Sequence, residues 1–122
     1  MINATFLVYD RALFSGITRP YEILKAVNAM ALIDRESRPL DLHMVKVAAE
    51  QPKVAGDIPL NIQENLEDMG FVDWMFIPPN WRDPKYILKK YPDLPKMLKE
   101  RYEAGTKFIA TGAGAYLLAE AG

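Results

Sequence analysis

The stretch from Lys107 to Gly122, K-F-I-A-T-G-A-G-A-Y-L-L-A-E-A-G, constrains the fold of this chain more than any other. Phe108, Ile109 and Ala110 read as a short buried strand, Thr111 to Gly114 as a glycine turn, and Ala115 to Ala121 as a helix. Strand, tight turn and helix in that order is how open α/β sheets build their sites, because the turn lies at the carboxyl end of the strand. The first amides of such a helix have no partner inside it, which suits an anion or a carbonyl oxygen. Gly112, Ala113 and Gly114 are therefore candidate ligand-binding residues, with Tyr116 as a candidate apolar wall. The plain alternative is a tight turn whose glycines let the helix pack closely on the sheet.

The rest of the chain alternates in a way that fits this ending. Ala4 to Tyr9 is apolar on both faces, as a central parallel strand is. A loop with Gly16 follows; Thr18 is a candidate cap, and Ile17, Tyr21, Leu24, Val27 and Ala31 recur at helical spacing, so a helix is expected from Pro20 to about Ile33. Leu40 to Ala48 reads as the second strand. Gln51 to Pro59, with two prolines and a Gly-Asp pair, reads as a small hairpin or arm. Asn61 to Met69 reads as a short helix or irregular segment ended by Gly70, and Asp73 to Ile77 as the third strand, stopped by Pro78 and Pro79. A helix begins at Asp83-Pro84, is interrupted at Pro92 and restarts with a buried face of Leu94, Met97, Leu98 and Tyr102; Gly105 suits its end. The order βαβ–arm–βαβα predicts one α/β domain around a mostly parallel sheet.

Composition narrows the function. A net charge of -1 gives no basic footprint for nucleic acid. The absence of cysteine removes disulfides, thiolate metal sites and cysteine nucleophiles together, and fits a reducing compartment. No apolar run is long enough to span a bilayer, and the N-terminus lacks the pattern of a signal peptide, so a cytoplasmic location with no membrane partner is expected.

Few residues offer chemistry. Gly112-x-Gly114 begins like a dinucleotide fingerprint, but Leu117 holds the third position and the turn sits in the last crossover; no Gly-Lys-Ser/Thr follows for a P-loop. No cofactor is expected. His43 is the only histidine, flanked by Leu42 and Met44 in a strand, so it reads as a core or edge residue and neither a metal site nor a triad is expected. Glu22 falls in the first turn of its predicted helix, near the carboxyl end of the first strand. It reads either as a solvated acid favoured by the helix dipole or as a carboxylate facing a pocket. Pairing it with the Gly112 turn requires the first and last strands to be neighbours. Trp74 reads as core, while Trp81, after Pro-Pro-Asn, is a candidate pocket residue.

The segments D-W-M-F-I-P-P-N-W, Y-P-D-L-P-K-M-L and A-G-T-K-F-I-A-T-G-A-G-A-Y-L-L-A-E-A-G resemble the ThiJ/PfpI superfamily and, within it, the sensor domain fused to AraC-type transcriptional regulators. Asp73, Gly105, Gly114 and the run Leu117 to Gly122 fall on the family pattern, and L-L-A-E-A-G is its most specific piece. The resemblance implies a three-layer, flavodoxin-like, class I glutamine amidotransferase-like fold, incomplete at the C-terminus. Residues 1–122 would be the N-terminal part of the domain, with its remainder and any helix-turn-helix domain absent. Enzymes of the superfamily carry a cysteine on the elbow and a glutamate beside it. Aligned through L-L-A-E-A-G, the cysteine position falls on Gly112 and the glutamate position near Glu22. The resemblance thus implies a non-catalytic sensing and dimerisation domain: a homodimer, an unidentified small-molecule effector, and DNA contacted only through the absent domain. The rivals are an enzyme working through Glu22 without a thiol, and a dimerisation module with no ligand.

Overall fold

The structure is a computed structural model and describes residues 2–33, 40–55, 57–112 and 114–122. Its centre is β1 (Ile2–Val8), whose residues from Ala4 onward are buried. A strand with neighbours on both edges and cover on both faces has to be apolar throughout, and Ala4, Phe6, Leu7 and Val8 meet that condition. The sheet order is β5-β2-β1-β6-β7, all parallel, with β2 at Leu40–Lys46, β5 at Glu64–Asn65, β6 at Trp74–Ile77 and β7 at Lys107–Ala110. From β1 the chain winds to β2 on one side, then crosses to β6 on the other and continues outward to β7. The winding direction reverses between β1 and β6, and open α/β sheets hold their ligands in the crevice at that point. Helices flank the sheet, giving the α/β architecture around a parallel sheet that the alternation predicts and the flavodoxin-like layering that the family resemblance implies.

Helix α1 (Phe14–Ile33) covers β1 and β2, with Tyr21 set edge-on to Phe6 at 5.5 Å between ring centres. It begins well before Pro20, the expected start, and carries Pro20 inside it. The cause is tertiary. The Leu13 amide donates to the Pro79 carbonyl at 2.8 Å, and a Cβ on Gly16 would lie 2.5 Å from Pro79 Cδ, so the incoming chain is pressed on the turn after β6. Thr18 does not cap: its hydroxyl donates back to the Phe14 carbonyl at 3.1 Å, as serine and threonine do inside helices. Val27, expected on the buried face, is exposed. The Asn28 side chain clamps the start of β2 through both its amide groups, donating to the Leu40 carbonyl and accepting from the Leu40 amide.

The expected arm is a hairpin of β3 (Lys53–Val54) and β4 (Ile58–Pro59). The Gln51 side chain closes its base, accepting from the Ile62 amide at 2.7 Å and donating to the Ile62 carbonyl at 3.0 Å. The 61–69 segment, expected as a short helix or irregular, holds a short helix only at its end and a strand before it. It forms the edge strand β5 and a 3₁₀ turn at Leu66–Asp68. On this edge His43 sits half-buried, with Nδ1 2.8 Å from Glu64 and Nε2 2.9 Å from Asp41. The two carboxylates, Asp41 foremost, raise the imidazole pKa against the opposing effect of burial. Since they sit on opposite ring nitrogens, they form ion pairs and not a shared metal shell.

Helices α2 (Lys85–Lys90) and α3 (Leu94–Glu103) are split at Pro92 as the sequence predicts. Leu94 and Leu98 are buried, whereas Tyr102 is exposed. Gly105, at φ +106, carries the chain out of α3. The Arg101 guanidinium binds α3 to the 3₁₀ turn by donating to the carbonyls of Leu66 and Met69, each at 2.8 Å, and to that of Gly70. A planar five-donor fork suits this task and an ammonium does not. Replacing Arg101 with Ala is expected to lower stability by about 1–2 kcal/mol. Lys should recover less than half of that loss in urea denaturation; full recovery by Lys would show that charge alone holds the turn.

Candidate functional site

The carboxyl edge of the sheet is built from three chain segments that leave the ends of β1, β6 and β7. The first, Tyr9 to Leu13, is stitched on both sides. Toward the arm, the Arg11 amide donates to the Lys53 carbonyl at 2.9 Å and the Ala55 amide to the Ala12 carbonyl at 2.8 Å. Toward β6, the Trp81 amide donates to the Arg11 carbonyl, and Ala12 pairs with Asn80 in an antiparallel bridge. The buried Tyr9 hydroxyl donates to the Pro78 carbonyl, and burial raises its pKa.

Asp10 anchors this arrangement. It is 9% exposed; one carboxylate oxygen accepts from the Lys53 amide at 2.9 Å, and the other accepts from Lys90 Nζ at 2.6 Å and the Tyr86 hydroxyl at 3.3 Å. Its own amide donates to the Tyr91 hydroxyl at 3.1 Å. Burial pushes the carboxyl upward, but Lys90, the Lys53 amide and Tyr86 together outweigh it and hold the pKa below the ordinary value. The same pair raises the pKa of Lys90.

The β7 turn is the elbow. Gly112 has φ +52, a left-handed backbone that glycine adopts without strain. A Cβ there would lie 3.1 Å from Pro79 Cβ. Gly114 opens α4 (Gly114–Ala121), and a Cβ on it would stand 2.7 Å from the Ile77 carbonyl oxygen and 2.8 Å from that of Pro78. Only glycine lets the helix meet the end of β6 so closely. The Gly114 amide donates to the Thr111 carbonyl at 2.9 Å and the Ala115 amide to the Gly112 carbonyl at 3.3 Å. The Gly114 amide is therefore already partnered within the turn, and the structure does not leave it open as the sequence reading expects. Ala113 lies outside the described residues.

The other expected site residues are dispersed. Glu22 is exposed in the interior of α1, not in its first turn, because the helix starts at Phe14. The condition for pairing it with Gly112 also fails: β6 lies between β1 and β7. What stands beside the elbow from that side of the chain is Gly16, through the shared contact with Pro79. Tyr116 is half-buried on α4, where desolvation and the neighbouring Glu120 raise its pKa. Trp81 is 48% exposed and lines a cleft of about 280 Å³ with Arg11, Arg82, Ala55 and Asp57. Sequence reasoning passed over both arginines and Asp57. The available signal was position, since Arg11 and Arg82 follow the carboxyl ends of the two strands where sites collect. A larger apolar cleft, about 370 Å³, lies apart from this edge, between Leu98 and Tyr102 of α3, Phe108 of β7, and Leu118 and Ala121 of α4.

Neither a protein-family model nor a curated protein matches the sequence. Solved structures do. A protein from Vibrio parahaemolyticus described as a transcriptional regulator superposes on 98% of this chain with a TM-score of 0.80 and 22% identity. An AraC family transcriptional regulator from Pseudomonas putida matches 99% of it at 0.72 and 16%, and DJ-1 from Schizosaccharomyces pombe matches 98% at 0.63 and 18%. The fold is that of the DJ-1/ThiJ/PfpI proteins. This chain spans 61% of the length of each regulator and 63% of the Schizosaccharomyces pombe protein.

Two measurements probe this edge. Gly114→Ala places a methyl against two carbonyl oxygens and is expected to cost about 3 kcal/mol, the upper end for overpacking, while Gly112→Ala should cost about 1–2 kcal/mol for its left-handed backbone. Equal losses in chemical denaturation would contradict the difference in contacts. Asp10 supplies a pH test. Its folded pKa is depressed, so its contribution is present above the unfolded value of about 4 and is lost as pH falls through the folded value. Asp10→Asn should cost about 1–3 kcal/mol at neutral pH, with the gap to the native protein closing below about pH 4. A gap that is constant with pH would remove the ion pair from the account.

Proposed function

We propose that this chain is a non-catalytic ligand-sensing and dimerisation module of an AraC-type transcriptional regulator. Gly112 is the observation that carries the reading. The turn after β7 is left-handed at Gly112 and has no side chain there, and the chain contains no cysteine to supply a thiolate. Hydrolase, hydratase and lyase chemistry that passes through an elbow thiol is then unavailable. The regulators among the structural neighbours support the regulatory part of the reading.

In this reading a small effector binds at the carboxyl edge of the sheet and biases the geometry of a homodimer. A separate domain reads DNA, since the module itself has a net charge of -1. The location is cytoplasmic. No described helix is long and apolar enough to cross a membrane. The enzyme reading through Glu22 has little geometric support, because Glu22 is exposed on α1 and separated from the elbow strand by β6.

The test is incubation of the purified protein with glyoxal and isocyanide substrates. Product formation should match the protein-free control. Turnover that disappears in Glu22→Gln would replace the sensor with an acid–base enzyme.

A further inference from the structure

The described residues contain three non-glycine positions with left-handed backbone: Arg11 at φ +66, Ala55 at +52 and Arg82 at +69. All three line one cleft, together with Trp81 and Asp57. Such a conformation is strained for a residue with a side chain and persists where the surroundings over-determine it, often at ligand sites. Arg82 is an informative case. It is exposed, so packing does not require its side chain, and glycine would hold the same backbone without strain. Arginine there adds a positive charge to the residues that line the cleft.

The position of the cleft agrees with the topology. Arg11 leaves β1, Trp81 and Arg82 follow β6, and these are the adjacent strands between which the winding reverses. The floor is fixed by backbone hydrogen bonds from the arm to Arg11 and Ala12 and from there to Trp81. The Arg11 guanidinium is itself placed, lying 3.6 Å over the Tyr86 ring. Stacking occupies a guanidinium face and leaves its N–H edges for an acceptor. Two arginines against Asp57 give the lining an excess of one positive charge. The half-exposed indole of Trp81 adds a flat apolar wall.

We propose that this cleft binds a small organic monocarboxylate with a flat apolar body. The carboxylate takes the N–H edges of Arg11 and Arg82, and the body lies against Trp81. The assignment gives the sensor reading its ligand class and rests on that reading only for its regulatory meaning; the binding itself does not depend on it.

Benzoate is the probe, followed by tryptophan fluorescence and thermal shift on the whole chain. A saturable response is expected with a Kd of about 1 mM or tighter. The neutral isostere benzamide should bind at least about tenfold more weakly, since it lacks the charge. Arg82→Gly should weaken benzoate by about tenfold or more without lowering the melting temperature, because glycine suits φ +69. Arg82→Lys should restore part of the affinity, and Trp81→Phe should abolish the fluorescence change. Any of four results overturns the site: no saturable response at about 50 mM benzoate, benzamide equal to benzoate, undiminished binding by Arg82→Gly, or inorganic phosphate binding as tightly as benzoate. Self-association measured with and without benzoate separates the two readings. Benzoate binding that leaves association unchanged counts against the sensor and leaves the carboxylate site intact.

Discussion

The Asp10 carboxylate holds together the segments on which the functional edge depends. A buried carboxylate is costly unless its lone pairs are filled and its charge is matched. Here the partners come from the arm, through the Lys53 amide, and from α2, through Lys90 and Tyr86. The requirement to satisfy one charge thus fixes the hairpin and the first helix after β6 against the exit of β1. The hairpin's strands are two residues long, so its placement depends on this anchor together with the backbone bonds to Arg11 and Ala12 and the buried Val54.

A second constraint is the close approach around Pro79. Gly16 from α1 and Gly112 from the elbow both meet this ring, and Gly114 meets the carbonyls just before it. Three elements can converge there because the contacting residues have no Cβ. The same absence of side chains that permits the packing removes reactive groups from the elbow. Among the described residues, the Gly114 and Ala115 amides are likewise engaged, donating into the turn.

Much of this was legible in the sequence. β1 and β6 announce themselves as apolar runs because inner parallel strands are covered on both faces, whereas the expected burial of the last strand fails: β7 is at the sheet edge, with Phe108 and Ala110 half-buried and Ile109 exposed. Pro92 marks the break between α2 and α3, and the prolines and Gly-Asp pair mark the arm. The start of α1 was not legible, because Phe14 to Arg19 becomes helical through Leu13 and Gly16 packing on a turn far along the chain. Nor was β5, whose strand character comes from pairing of Val45 with Glu64 and Lys46 with Asn65 and not from propensity. The site was the least legible part. Glu22 looked close to the elbow only while the strand order was unknown, and Arg11 and Arg82 gain meaning only once β1 is seen beside β6.

The rigidity of this edge limits how a ligand there could be read out. A ligand shifts an equilibrium only by its difference in affinity between two arrangements. The floor of the Arg11–Arg82 cleft, cross-linked from the arm through Ala12 to Trp81, has the character of a preformed surface. Asp57 borders the cleft, and Ile58 and Pro59 beside it are exposed on a strand paired only to β3 among the described residues. A carboxylate held by the arginines would sit next to the Asp57 carboxylate, and like charges in one cleft repel. In the proposed site the attraction of the two arginines is therefore offset in part by Asp57, and the excess of one positive charge is what remains to hold the ligand.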